Sequence, residues 1–331
     1  MAALAFPNIT TSAKLPSGVT YSYVHIAARD SKPHALLLHG FPSSVYDWRH
    51  QIDFLADRGY GLIVPDLLGY GATDKPQEKE AYRLKKMCGE LVEILDICGL
   101  ETVVGVGHDW GSFLLGRLAN YHPARFAKLA FLDIAYAPPN ADGFSVDPIN
   151  ERTTKMIGYP VFGYWHFFKD EDSGDLMTDK MDHTIAVAYA SSYDFSKDNL
   201  CYLGAARKYY TTGTPGPIAP WITDHEIAMH KRIFSKEHGG YGPPLNWYKC
   251  EIANLNVPDE ATVSKENYYL KVPSLLMLCK YDPIGVPAVQ EPGMTPWIEE
   301  GLLTVVEIES GHWCLLEKPR ETNEALERFL G

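Results

Sequence analysis

The chain of 331 residues has no run of lysine and arginine, no cysteine pair at C-x-x-C spacing and no apolar stretch approaching the length of a membrane span. Each absence excludes something. With a formal net charge of −12 and no basic stripe, nothing balances a phosphate backbone or an anionic bilayer, so neither a nucleic acid nor a membrane is expected as a partner. Cys88, Cys98, Cys201, Cys250, Cys279 and Cys314 are scattered, which fits reduced thiols better than a disulfide framework or a zinc site. Met1–Leu15 lacks the basic start and continuous apolar segment of a secretion signal, so a cytoplasmic protein is expected. What remains is a large core, since 46% of the residues are hydrophobic, and a ligand that is small and uncharged or weakly polar.

Hydrophobic patterning alternates between two periods. Strands are expected at Thr20–Ala28, Ala35–Leu38, Gly61–Val64, Thr102–Val106 and Ala127–Ile134, with helices around Asp47–Asp57, Tyr82–Ile97 and Ser112–Tyr121. Such alternation predicts a mostly parallel sheet covered on both faces. It stops at Ala137-Pro138-Pro139-Asn140, and from there to about Lys265 the chain is rich in Tyr, Trp and Phe and divides into helix-sized pieces. Strands return at Ser274–Cys279 and Leu303–Ile308 before a closing helix, Arg320–Leu330. The expected organisation is one α/β core from residues 1–138 and 268–331, with a helical cap over 139–267.

The stretch Gly107-His108-Asp109-Trp110-Gly111 lies where a strand meets a helix. It has the form G-x-nucleophile-x-G, a sharp turn with glycines where side chains would collide. An aspartate in the central place suits displacement at a saturated carbon, because the carboxylate leaves an ester that water can cleave, whereas a serine would leave an ether. The plainer reading of Asp109 is a helix cap. A dinucleotide fingerprint is excluded by the spacing of Gly105, Gly107 and Gly111.

Other candidates stand at expected strand ends. His39-Gly40-Phe41-Pro42 follows Ala35–Leu38, and the backbone N–H groups of Phe41 and Trp110 would supply an oxyanion hole; His39 reads as a loop brace. His312, in Glu309-Ser310-Gly311-His312-Trp313, follows the strand Leu303–Ile308, at the edge where catalytic groups of open α/β sheets gather. Asp282 ends the strand Ser274–Cys279 and is the favoured partner of His312, with Asp133, at the end of Ala127–Ile134, its competitor. His225 and His230 are five positions apart, which on a helix puts them on different faces, so no metal site is expected. Asp66-Leu67-Leu68-Gly69-Tyr70-Gly71 lacks the ending of a phosphate loop and reads as structural.

Taken jointly, His39-Gly40-Phe41-Pro42, Asp66-x-x-Gly69-x-Gly71, Gly107-His108-Asp109-Trp110-Gly111, Asp282 and Gly311-His312-Trp313 resemble the α/β-hydrolase-fold epoxide hydrolases over nearly the whole chain. The resemblance implies an α/β-hydrolase fold with an inserted cap, the order nucleophile, acid, histidine for Asp109, Asp282 and His312, and two cap tyrosines that donate to the epoxide oxygen. Val161-Phe162-Gly163-Tyr164-Trp165 is similar to the first tyrosine motif and Gly242-Pro243-Pro244-Leu245-Asn246-Trp247-Tyr248 to the second, with Tyr159 and Tyr241 as alignment rivals. It implies a small apolar epoxide and water as reactants, a vicinal diol as product, and no metal or organic cofactor. Haloalkane dehalogenases share the aspartate branch and are the alternative enzyme class. A ligand-binding protein that keeps the fold without turnover is the alternative outside enzymes.

Overall fold

Eight strands form one sheet: β1 (Thr10–Lys14), β2 (Thr20–Ile26), β3 (His34–Leu38), β4 (Gly61–Pro65), β5 (Val103–His108), β6 (Phe126–Leu132), β7 (Ser274–Cys279) and β8 (Leu303–Ile308). The computed structural model describes residues 1–331. Spatial order is β1-β2-β4-β3-β5-β6-β7-β8. The pairs β1/β2 and β2/β4 are antiparallel and the others parallel. Parallel neighbours need a long crossover, and the helices Arg49–Asp57, Leu84–Ile97 and Trp110–Tyr121 provide it in the first half. The protein has the α/β-hydrolase fold.

Successive residues of the central strands enter opposite cores, as a period of two requires. Leu36, Leu38, Leu129, Phe131, Leu276 and Leu278 join one core. Ala35, Leu37, Val104, Val106, Ala130, Leu132, Leu275 and Met277 join the other. Each of the valine, leucine, phenylalanine and methionine side chains among them, fully buried, stabilises the fold by about 1.5–3 kcal/mol before conformational entropy is counted.

Strand β1 was not expected. Its Thr-Thr-Ser-Ala-Lys sequence has no apolar alternation, and its side chains are exposed or half-buried; it is a strand because β2 offers it an unpaired edge. Between β6 and β7 the chain forms helices, with isolated bridges from Ala190 to Ile218 and from Leu270 to Ile298 and no strand. These helices are bonded to the sheet layer at several points. The Trp247 indole N–H donates to Leu68 O at 2.9 Å, that of Trp313 donates to Ala188 O at 2.6 Å, and buried Arg117 pairs with Glu260 at 2.5 Å. All six cysteines are free thiols, and no helix is long and apolar enough to cross a membrane.

Candidate active site

The carboxyl ends of β3, β5, β6, β7 and β8 share one edge of the sheet, and the residues just beyond them converge. Asp109 follows β5 with φ +53°, a conformation costly for a residue with a side chain. The turn is tight: a Cβ on Gly107 would lie 2.5 Å from Gly111 O, and one on Gly111 would lie 2.7 Å from His39 O. Glycine at both places lets the helix Trp110–Tyr121 start directly against β3 and β5. Asp109 stands at that helix's N-cap position, yet its side chain makes no capping bond, so the plainer reading of Asp109 does not hold.

The carboxylate points instead into the loop after β3. Its Oδ1 accepts the Phe41 N–H at 2.8 Å, and the backbone N–H of the next residue, Trp110, favours the charged form of the group. Oδ2 lies 3.9 Å from His312 Nε2. Burial raises the Asp109 pKa above the ordinary carboxylate value, while His312 and the two N–H groups act in the opposite direction. Phe41 is held by its neighbour: His39 Nε2 accepts the Leu67 N–H at 3.1 Å, so its proton resides on Nδ1, which donates to Gly40 O at 3.0 Å. Burial lowers the His39 pKa to about 4, which keeps this brace neutral.

His312 meets both acid candidates. Its Nδ1 is 3.0 Å from Asp282 Oδ2 and 2.9 Å from Asp133 Oδ2, because β6 and β7 are neighbours in the sheet. Burial works against charge on the ring, but Asp133 and Asp282 outweigh it and raise the His312 pKa well above the ordinary histidine value. Asp282 also accepts the N–H groups of Ile284 and Gly285 at 3.0 and 2.6 Å. Burial would raise its pKa; His312 and the other hydrogen bonds overcome that and hold it at about 2.

His108, missed in the sequence reading, braces the loop from below: its Nε2–H donates to His312 O at 2.9 Å. Its only sequence signal is adjacency to Asp109. Ligand atoms of His108, Asp133 and His312 lie within 4.8 Å of one another, but the donor set is poor for a cation, since His312 Nδ1 carries the proton given to the carboxyls.

Above Asp109 are two tyrosines from separate helical segments. Tyr164 precedes the helix Trp165–Phe168, and Tyr248 lies in Gly242–Ile252, anchored through Trp247 to the loop after β4. Their ring centroids are 6.1 Å apart. Burial raises both hydroxyl pKa values well above the ordinary tyrosine value, helped by Asp109 at Tyr164 and by Tyr164 and then Asp109 at Tyr248. Both are therefore neutral donors at neutral pH. The rivals are engaged elsewhere: Tyr159 OH bonds to Tyr193 OH at 2.8 Å and donates to Pro283 O at 2.9 Å, and Tyr241 OH pairs with His230 Nε2 at 2.7 Å. His225 is exposed and His230 buried, on different faces of their helix.

Phe41, Asp109, Tyr164, Tyr248, Asp282 and His312 border one cavity of about 440 Å³, whose wall also holds apolar groups such as Phe168, Val187 and Leu200 and a few polar ones, among them Thr184, Ser196 and Glu317. A second cavity of about 600 Å³, lined by Phe113, Phe144 and Val289 among others, also reaches Asp109 and Tyr164. The carboxylate thus sits where two cavities meet, which no local pattern in the sequence signals.

The sequence pattern of the alpha/beta hydrolase fold matches residues 33–155. The chain is 30% identical to the bifunctional epoxide hydrolase 2 of Rattus norvegicus over 95% of its own length and 56% of that protein's. It is 29% identical to epoxide hydrolase srdG of Neurospora crassa, over 96% of this chain and 93% of the relative. The crystal structure of epoxide hydrolase A from Mycobacterium thermoresistibile superposes with a TM-score of 0.78 at 26% identity, covering 97% of this chain and 98% of the other. The chain spans little more than half, 56% to 58%, of the mammalian relatives it matches.

Proposed function

We propose, from the premise that this chain is an α/β-hydrolase-fold protein similar to epoxide hydrolases, that it hydrolyses small apolar epoxides to vicinal diols through an ester on Asp109. The observation that carries this reading is the asymmetry of the Asp109 carboxylate. Phe41 N–H bonds Oδ1 at 2.8 Å, which leaves Oδ2 on the cavity side, with Tyr164 and Tyr248 on the same cavity. We take residues 139–267 as a cap that brings those tyrosines and residues 1–138 with 268–331 as the core that brings the acid, base and nucleophile.

Tyr164 and Tyr248 hydrogen-bond the epoxide oxygen. Asp109 Oδ2 attacks a ring carbon, the carbon–oxygen bond opens, and one tyrosine gives its proton to the leaving oxygen, regaining one from water later. His312, anchored by Asp282, then takes a proton from water through Nε2, and the hydroxide attacks Cγ of Asp109. The Phe41 N–H already bonds Oδ1, the atom that becomes the oxyanion, the Trp110 N–H belongs to the next residue and would be the second donor, and such donors contribute about 3–4 kcal/mol each. Collapse of that intermediate breaks the Cγ–Oδ2 bond, the hydroxyl proton of the intermediate passes to the departing oxygen, and the proton held by His312 restores the tyrosine as the diol leaves.

Single turnover in oxygen-18 water tests the ester. Label is expected in Asp109 and not in the first diol released, and His312→Gln is expected to accumulate the ester on the peptide that bears Asp109. Label in the first diol overturns the reading. Halide release from chloro- and bromoalkanes without diol formation from an epoxide panel would assign the chain to the dehalogenases instead.

A further inference from the structure

Two carboxyl groups face one imidazole nitrogen, and their surroundings differ. Asp282 accepts two backbone N–H groups, from Ile284 and Gly285, and the His312 Nδ1–H is aligned on its Oδ2 at 3.0 Å. Asp133 is 0% exposed and neither of its oxygens has a hydrogen-bond partner, although Oδ2 is only 2.9 Å from His312 Nδ1. A dry carboxylate without donors is strongly disfavoured, and two carboxylates within reach of one N–H cannot both hold full charge. A carboxylic acid at Asp133 resolves both difficulties, because its proton is a donor and Asp282 is the acceptor beside it.

The fold reserves the place. Asp133 leaves β6 with φ +69°, a conformation that persists only where its surroundings impose it. On the other side a Cβ on Gly285 would lie 2.5 Å from Asp133 Oδ1, so glycine there makes room for the carboxyl.

We propose that Asp133 holds a proton as a neutral carboxylic acid bonded to Asp282, and that its carboxyl takes over the anchoring of His312 when Asp282 is lost. This rests on the roles proposed above for Asp109 and His312. Asp133 is a positioning residue: it touches neither substrate nor the attacking water. Its proton leaves one negative charge on the acid pair, so the pull that keeps a proton on His312 is limited. The titratable groups facing the pair are His312, Asp109, His108, Tyr159, Tyr164 and the thiols of Cys201 and Cys279. Consistent with the geometry, burial and then the charge of Asp282 push the Asp133 pKa well above the carboxylate range, while Asp282 is held at about 2.

The test compares the full chain with Asp282→Asn, Asp133→Asn and the double variant, using a small aryl epoxide. Ester hydrolysis in Asp282→Asn is expected to slow by no more than about 10²-fold, well short of the roughly 10⁴-fold cost of removing the acid from a triad that has only one. The double variant is expected to lose about 10²-fold more. The infrared difference between the parent and Asp133→Asn at neutral pH is expected to contain the C=O stretch of a protonated carboxyl. Equal rates in Asp282→Asn and the double variant, or a difference spectrum holding only carboxylate bands, overturns the proposal. Failure of all four proteins to form the Asp109 ester would refute the nucleophile assignment, and the infrared measurement would still decide the state of Asp133. Should Asp133→Asn not fold, Gly285→Ala, which crowds the same oxygen, is expected to shift that band; an unmoved band counts against the proposal.

Discussion

Replacing Gly40 by alanine is expected to disarm Asp109 without changing any group that reacts. A Cβ at residue 40 would stand 2.5 Å from Asp109 Cβ and 2.7 Å from its Cγ. Carbon atoms settle at about 3.5–4.0 Å, so the carboxylate must retreat by about 1 Å or the loop after β3 must move away. Either response separates Oδ1 from the Phe41 N–H, now at 2.8 Å. Loss of one oxyanion donor costs about 10²–10³-fold, and misplacement of a reacting group by 1 Å about 10²-fold. Both penalties fall on the same carboxylate and do not add. The expected loss is therefore about 10²–10³-fold, or about 3–4 kcal/mol of barrier. Overpacking by one methyl group costs about 1–3 kcal/mol of stability, which should leave a folded protein. Mass spectrometry of rapidly quenched single turnovers reads ester formation directly, with circular dichroism as the control for folding. A folded Gly40→Ala protein that forms ester within about threefold of the parental rate would refute the placement of Asp109 and Phe41 in one working unit.

Tyr164→Phe and Tyr248→Phe are each expected to slow ester formation by about 10–10²-fold and the double variant to nearly stop it, at the lower end of what an acid catalyst supplies because the other donor remains. Pre-steady-state alkylation measures this, and a double variant that alkylates normally would remove both residues from the mechanism. Ester hydrolysis requires neutral His312. Burial favours the neutral ring, but the acid pair beside it, which carries its negative charge on Asp282, raises the pKa above the ordinary value of 6.5. Hydrolysis is therefore expected to be complete only above that raised pKa and to fall as pH drops through it, while alkylation, which needs ionised Asp109, persists to lower pH. A single-turnover hydrolysis rate that stays constant from alkaline pH down through pH 6.5 would contradict this assignment. Arg117→Met leaves Glu260 buried without its cation, at a cost of about 3–5 kcal/mol; an unchanged thermal midpoint would show that this pair does not hold the helix Trp110–Tyr121 to the helical segment above the sheet.

Some of the site was legible because its cause is local. The β-branched run before Gly107, and the glycines on either side of Asp109, mark a strand that turns sharply into a helix, and β5 and the helix Trp110–Tyr121 are found there. His312 was legible from its place after the strand Leu303–Ile308. β1 was not, because a polar segment becomes a strand only when a neighbour offers an edge. Composition does not distinguish Tyr164 and Tyr248 from Tyr159 and Tyr241, and only the motif resemblance singled them out: all four are buried aromatics, and what separates them physically is which hydroxyls find protein partners, a matter of residues far away in sequence.

By itself, then, the sequence determined the alternation of strands and helices, the strained turn at Asp109 and the interruption by an aromatic helical segment, since each depends on steric and periodic preferences within a few residues. Only the tertiary structure decided that Asp133 and Asp282 both reach His312 Nδ1, at 2.9 and 3.0 Å, and that Asp109 borders two cavities at once. Those outcomes depend on strand order and on a helical segment closing over the sheet, where groups distant along the chain are brought within a hydrogen bond of each other and water is excluded. In such a place, which carboxyl keeps its proton is set by the donors around it and not by its neighbours in sequence.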